Sequence, residues 1–235
     1  MALQQQLRKV AGSNRLVVAS AAQKPAKSVQ FCTGKVCKKQ GSQQLLKFAQ
    51  DLGIDELDIS DCGCLGNCGN GPSMVVLPEV IMLRHVNTPK DVADILAWQC
   101  KVDIPESLLR ATELRLAGNM LAMGGDLDEA IDKYKQALAI NPPRGKHMLH
   151  SNLSAACLQA GRKEAALQHA REAVTLAPKG FHMAHIRLID ALYALGRYKD
   201  VADAVVAAEA KDASFKALPE YKTIQQALRK QNVAV

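Results

Sequence analysis

The sequence predicts an α/β domain followed by an all-α repeat solenoid, and three observations carry that prediction. Residues 28–104 alternate short β-rich runs with amphipathic helical stretches, the pattern of a helix-flanked mixed sheet. Two cysteine pairs, Cys32/Cys37 and Cys64/Cys68, fall where predicted strands give way to glycine-rich loops. Beyond Pro105 the composition turns rich in alanine and leucine, and a Gly, Ala, Ala, Pro signature recurs at fixed offsets.

Residues 1–27 carry Arg8, Lys9, Arg15, Lys24 and Lys27 and no acid, the largest local share of a net charge of +7 over 235 residues. Scattered basic residues, small residues around Val17 to Ala22 and no single long apolar core make this stretch resemble an organellar transit peptide more than a secretory signal. Chloroplast is the first expectation and mitochondrion the alternative. Residues 28–105 carry a slight acidic excess, so the basic balance is not spread over a binding face. Aromatic residues make up only 4% of the chain, which leaves little to stack on bases, so no nucleic-acid partner is expected. No apolar run approaches the roughly 20 residues that cross a bilayer, so membrane association would be peripheral.

In the α/β part, Ser28 to Phe31 reads as a first strand and Ser42 to Leu52 as a helix with Leu45, Leu46, Phe48, Ala49 and Leu52 on its apolar face and Gly53 at its C-terminal end. Leu57 to Ser60 is a second strand. Met74 to Leu77 and Val80 to Val86 read as a hairpin turning at Pro78 and Glu79, and Thr88 to Gln99 as a helix with Pro89 in its first position. Trp98 is expected to pack, and Cys100 to be an unligated thiol past that helix.

The cysteines carry the chemistry. Cys32 and Cys37 enclose four residues and Cys64 and Cys68 three, and Gly34, Gly63, Gly66, Gly69 and Gly71 surround them. Thiolates are soft ligands; four of them complete either an iron–sulfur cluster or a zinc site. Zinc sites favour tighter C-x2-C knuckles, and the C-x-x-C of thiol–disulfide exchange occurs nowhere. Seven cysteines in a chain able to build its own core argue against a disulfide framework.

The motifs FCTGKVC and CLGNCGNGP resemble those of the thioredoxin-like [2Fe-2S] ferredoxins and the related small iron–sulfur subunit of respiratory complex I. The resemblance covers residues 28 to about 100. It implies a thioredoxin-like fold in which Cys32, Cys37, Cys64 and Cys68 ligate two irons, one pair to each, with Pro72 in the loop before the third strand. Cys62 is a fifth thiol that the pattern does not use.

Residues 106–216 repeat. Gly125, Ala130, Ala137 and Pro142 are matched by Gly161, Ala166, Ala173 and Pro178, and more loosely by Gly196, Val201, Ala208 and Ala213, at periods of 36 and 35 residues. These periods and the positions of Leu114, Ala117, Gly118, Leu121 and Tyr134 resemble the tetratricopeptide repeat. The resemblance implies three helical hairpins, and residues 217–235 supply an amphipathic capping helix. Such an array implies a concave groove for a protein client. In it Arg115, Asn119, Asn152 and Arg187 resemble the carboxylate clamp of tetratricopeptide co-chaperones, with Met183 where a fifth, cationic residue would stand. A carboxylate wants converging guanidinium and amide donors.

His182 and His185 have metal-like spacing but no neighbouring acid or thiol, and read as surface residues; Cys157 reads as core. No phosphate-binding loop, nucleophile elbow or H-E-x-x-H motif occurs, so no catalytic residue is expected. Two functions follow. The first is a non-catalytic adaptor or assembly factor coupling a [2Fe-2S] domain to a client-binding solenoid. The second is an electron carrier or redox-enzyme subunit with a redox partner, the repeats securing it in place.

Overall fold

The computed structural model describes residues 27–54 and 56–233. The basic N-terminal stretch read as a transit peptide lies, but for Lys27, outside them.

Among the described residues the strands form one four-stranded sheet in the order β2-β1-β3-β4. β1 (Lys27–Cys32) is central. It runs parallel to β2 (Leu57–Cys62), with Cys32 opposite Cys62, and antiparallel to β3 (Met74–Leu77), which pairs antiparallel with β4 (Ile81–Leu83). A parallel pair needs a crossover, and α1 (Lys35–Lys39) and α2 (Ser42–Asp51) provide it. The sequence reading placed only loop where α1 forms. Val29 and Phe31 of β1 and Met74 and Val76 of β3 bury on the face covered by Phe48 of α2, by Leu52 just past its end, and by Val92 and Leu96 of α3 (Pro89–Cys100).

α3 starts where its local chemistry dictates. The Thr88 hydroxyl accepts from the Asp91 amide at 3.1 Å, the Asp91 carboxylate accepts from the Thr88 amide at 2.9 Å, and Pro89 follows the cap. Three details depart from the sequence reading. The second strand of the hairpin stops at Leu83, with Val80 and His85 at φ of 56° and 54° on either side, so Val86 enters the core from a loop. Trp98 is 72% exposed, with the Lys101 ammonium 4.9 Å from its ring, and does not pack in the core. Cys100 is the last residue of α3 rather than beyond it.

Three helical hairpins follow: α4 (Glu106–Gly124) with α5 (Leu127–Ala139), α6 (Lys146–Gln159) with α7 (Lys163–Leu176), and α8 (Met183–Ala194) with α9 (Tyr198–Lys211). Gly125, Gly161 and Gly196 take φ of 94°, 75° and 72° in the turns, the left-handed conformation that closes a helix and that side chains disfavour. Ala130, Ala137, Ala166 and Ala173 are all fully buried, as helix-to-helix contacts at small residues require. Gly118 shows why: a Cβ there would stand 2.5 Å from Tyr134 Cε1. A 3-10 turn (Ala213–Ala217) leads to α10 (Pro219–Lys230), which buries Leu228 and leaves Lys222, Arg229 and Lys230 exposed.

α4 belongs to both halves. Leu108 is buried in the sheet domain's core, with Leu109 and Leu116 packed on it, while Ala111 belongs to the solenoid core. No helix among the described residues is long and apolar enough to cross a membrane.

Candidate functional site

Both cysteine loops lie at the same end of the sheet because β1 and β2 are parallel neighbours and each loop follows the C-terminal end of its strand. The sulfurs of Cys64 and Cys68 are 3.7 Å apart. Cys32 feels Cys37, Cys64 and Cys68, and Cys37 feels Cys68, so the four thiols lie within electrostatic reach around Cys32. Cys32 and Cys37 are buried and Cys64 and Cys68 exposed, which leaves one edge of the cluster facing solvent.

Backbone amides act on the buried pair. Burial pushes the Cys32 thiol up, but the N–H groups of Leu65 and Gly34, with Cys37 and Cys64 beside it, outweigh burial and hold it below the ordinary thiol range. Cys37 is pushed up by burial and then by its bond with Cys32, against the Ser73 amide. Cys68 is raised by its bond with Cys64 and by Cys64's charge. Space is fitted to the sulfurs as well: a Cβ on Gly71 would stand 2.6 Å from Cys37 Sγ, and one on Gly34 3.1 Å from Cys64 Sγ. Cys62 turns to the backbone, its sulfur 3.5 Å from the Phe31 carbonyl oxygen, and burial raises its thiol.

Metal–sulfur bonds of about 2.3 Å at a tetrahedral angle place two ligand sulfurs about 3.8 Å apart, and the Cys64–Cys68 separation of 3.7 Å matches. Among the described residues no three His, Cys, Asp or Glu side chains close on one metal ion. Two neighbouring thiol pairs are a donor set of the kind that either a four-thiolate zinc site or an iron–sulfur centre uses.

In the solenoid, the first helices of the first two hairpins, α4 and α6, bring Asn119 and Asn152 together. Asn119 Oδ1 accepts from Asn152 Nδ2 at 2.7 Å and from the Tyr134 hydroxyl at 2.8 Å. The cavity beside them, about 390 Å³, runs between α4, α5 and α6. Arg115 does not join this pair. It is buried, with Nη2 3.0 Å from Asp51 Oδ2 and 3.4 Å from the Asp51 carbonyl oxygen, and it ties α4 to α2. Its reading as a clamp residue is therefore corrected: the guanidinium already holds a carboxylate of this chain. Arg187 leans on Asp190 at 3.5 Å, while its Nε is buried without a hydrogen-bond partner. Met183, at the fifth position, is partly exposed.

The remaining candidates resolve simply. His182 Nε2 lies 2.9 Å from Ser214 Oγ and 3.8 Å from Asp212, whereas His185 is buried against Phe215 and is no surface residue. Cys157 is core. Sequence reasoning missed the ties between the halves, Arg115 to Asp51 and the two-pronged Arg144 to Glu56 at 3.1 Å, because partners 64 and 88 positions apart leave no local pattern.

No protein-family model matches the chain. Over 123 residues it is 31% identical to the STIP1 homolog of Dictyostelium discoideum, an alignment covering 52% of this chain and 20% of that protein. Over 99 residues it is 34% identical to small glutamine-rich tetratricopeptide repeat-containing protein 2 of Mycosarcoma maydis, covering 42% and 27% respectively. The chain thus spans 20% to 27% of the length of these curated relatives. Among solved structures, the Arabidopsis OM64 TPR domain superposes with a TM-score of 0.47 at 23% identity, over 53% of this chain and 98% of that one. The Sgt2 TPR domain from Aspergillus fumigatus gives 0.45 at 26% identity, over 56% and 84%. With the 36- and 35-residue periods, the buried signature alanines and these curated relatives together, the helical half of the chain is a tetratricopeptide-repeat domain, an all-helical solenoid.

Proposed function

We propose that the protein is a non-catalytic adaptor that binds a protein client in the groove of its tetratricopeptide repeats and holds a [2Fe-2S] cluster in a thioredoxin-like domain locked against them. The observation that carries the cluster is the meeting of Cys32, Cys37, Cys64 and Cys68 at one end of the sheet, with backbone amides on the buried pair. When bound, such a cluster supplies one-electron chemistry. The chain's own contribution is to hold four sulfurs, to shield Cys32 and Cys37 from solvent and to direct amides at them. The client-binding half of the reading is supported by the repeat domain itself and by the amides of Asn119 and Asn152 on its first helices.

The test is chemical. Full-length protein purified without air is expected to contain iron and acid-labile sulfide in equal amounts, with a visible spectrum and, after reduction, a paramagnetic signal. Cys32→Ser and Cys68→Ser lose both; Cys62→Ser keeps them. Zinc without sulfide would replace the cluster by a four-thiolate zinc site, and full colour in Cys32→Ser would remove the assignment. The exposure of Cys64 and Cys68 favours a second reading, an electron carrier, since an open cluster edge admits a redox partner. Reduction by a physiological donor at a useful rate would support it. The chloroplast location belongs to the same proposal and is tested by fusing residues 1–27 to a fluorescent protein.

A further inference from the structure

From the placement of Arg115 and the lining of the groove we infer that the repeat domain grips an internal, apolar segment of its client through peptide amides, and does not grip a free C-terminal carboxylate. The inference rests on the client-binding reading above and specifies the chemistry of the partner.

Three observations carry it. First, the cation that the first helix could offer to a carboxylate is withdrawn. Arg115 lies one helical turn before Asn119, yet its side chain is only 7% exposed and its partner, Asp51, 9%. A guanidinium so paired meets an incoming carboxylate only by leaving Asp51 charged and unpartnered in the interior, at a cost a surface contact does not offset. Second, the other candidate cation, Arg187, is about two-thirds buried and leans through Nη1 on the Asp190 carboxylate at 3.5 Å, and the position between the two cations in the clamp pattern is the thioether Met183.

Third, the cavity beside the asparagines contains no charged side chain. Asn119, Tyr134, Asn152 and Gln159 give it donors and acceptors, while Met123 and three alanines give it apolar walls. A carboxylate entering such a space loses water and gains no counter-charge. A peptide backbone has the opposite needs, one donor and one acceptor per residue, which amide and phenol groups match. Met123 is 85% exposed and Met120, three residues earlier on the same face, 70% exposed. Flexible thioethers of this kind adapt to apolar side chains of varied shape. An internal segment presenting apolar side chains and uncharged backbone fits all three observations.

The experiment uses peptide arrays probed with the full-length protein. One set of random peptides is anchored through its C-termini and shows no free carboxylate; the other is inverted and shows one. Binders are expected on the first array, and in solution, by fluorescence polarisation, the best of them keeps its Kd within about twofold whether its C-terminus is free or amidated. Met123→Glu, with circular dichroism unchanged, weakens it by about tenfold or more. A best binder that loses tenfold or more on amidation overturns the inference while leaving client binding intact. Binding unaffected by Met123→Glu overturns it too, because the segment then lies elsewhere. Failure of both arrays to yield a binder removes the client-binding reading itself.

Discussion

A single methyl group tests the two places where backbone meets side chain most tightly. At Gly71 it would stand 2.6 Å from Cys37 Sγ and 2.8 Å from Gln40 Oε1, so Gly71→Ala must push Cys37 off its position. If the four thiols hold irons, the expected outcome is about 10-fold weaker retention of iron against a chelator, measured beside an unchanged far-ultraviolet spectrum. At Gly118 the obstruction is the Tyr134 ring, and Gly118→Ala should cost about 1–3 kcal/mol by urea denaturation. Tyr134 makes a second prediction. Burial pushes its phenol up to about 12. The unfolded chain releases that proton near pH 10, so between 10 and about 12 the native state holds more proton than the unfolded one. The contribution is therefore complete below pH 10 and declines as pH rises through that window, by about 2–3 kcal/mol in all. Denaturation on either side of the window should show the decline, and Tyr134→Phe should reduce it.

Helices α2 and α4 meet through an ion pair that neither helix requires for itself. Truncating one partner of a buried pair leaves the other charge without water or counter-ion, so Arg115→Ala is expected to destabilise by about 3–5 kcal/mol in chemical denaturation. Replacing Arg115 and Asp51 together by methionine and leucine should cost much less, because nothing charged is then left inside. Arg144 and Glu56 form the contrasting case, since Glu56 is largely exposed: Arg144→Ala should cost under about 1 kcal/mol and less still at high salt. At the start of α3, the reciprocal bonds between Thr88 and Asp91 predict a loss of about 1 kcal/mol for Thr88→Ala.

At the scale of the molecule, the two halves share a core as well as charges, since Leu108 of the first repeat helix is buried among the residues of the sheet. Unfolding should accordingly be one event: circular dichroism, which follows the helices, and labelling of the buried Cys32 and Cys37 thiols, which follows the sheet domain, are expected to give coincident transitions. Two separate midpoints would show that the two halves unfold independently. Much of this architecture is written locally. Periods of 36 and 35 residues, glycines at helix turns and alanines at crossings specify the hairpins because helix packing repeats with the chain. Alternation of Val29, Gln30 and Phe31 along β1 specifies a sheet face, β3 is apolar throughout, and the two cysteine pairs mark their loops wherever those loops go. Short-range pattern could not supply the pairings between distant positions. Asp51 and Arg115, or Glu56 and Arg144, find each other only once the sheet is seated on the first repeat, and that seating also takes Arg115 from the groove. The sequence by itself determined the strands, the longer helices and the repeat register, though not the short α1, and marked the two loops that carry the cysteine pairs. The tertiary structure alone decided which charges are already neutralised, because desolvation and pairing depend on what lies across space.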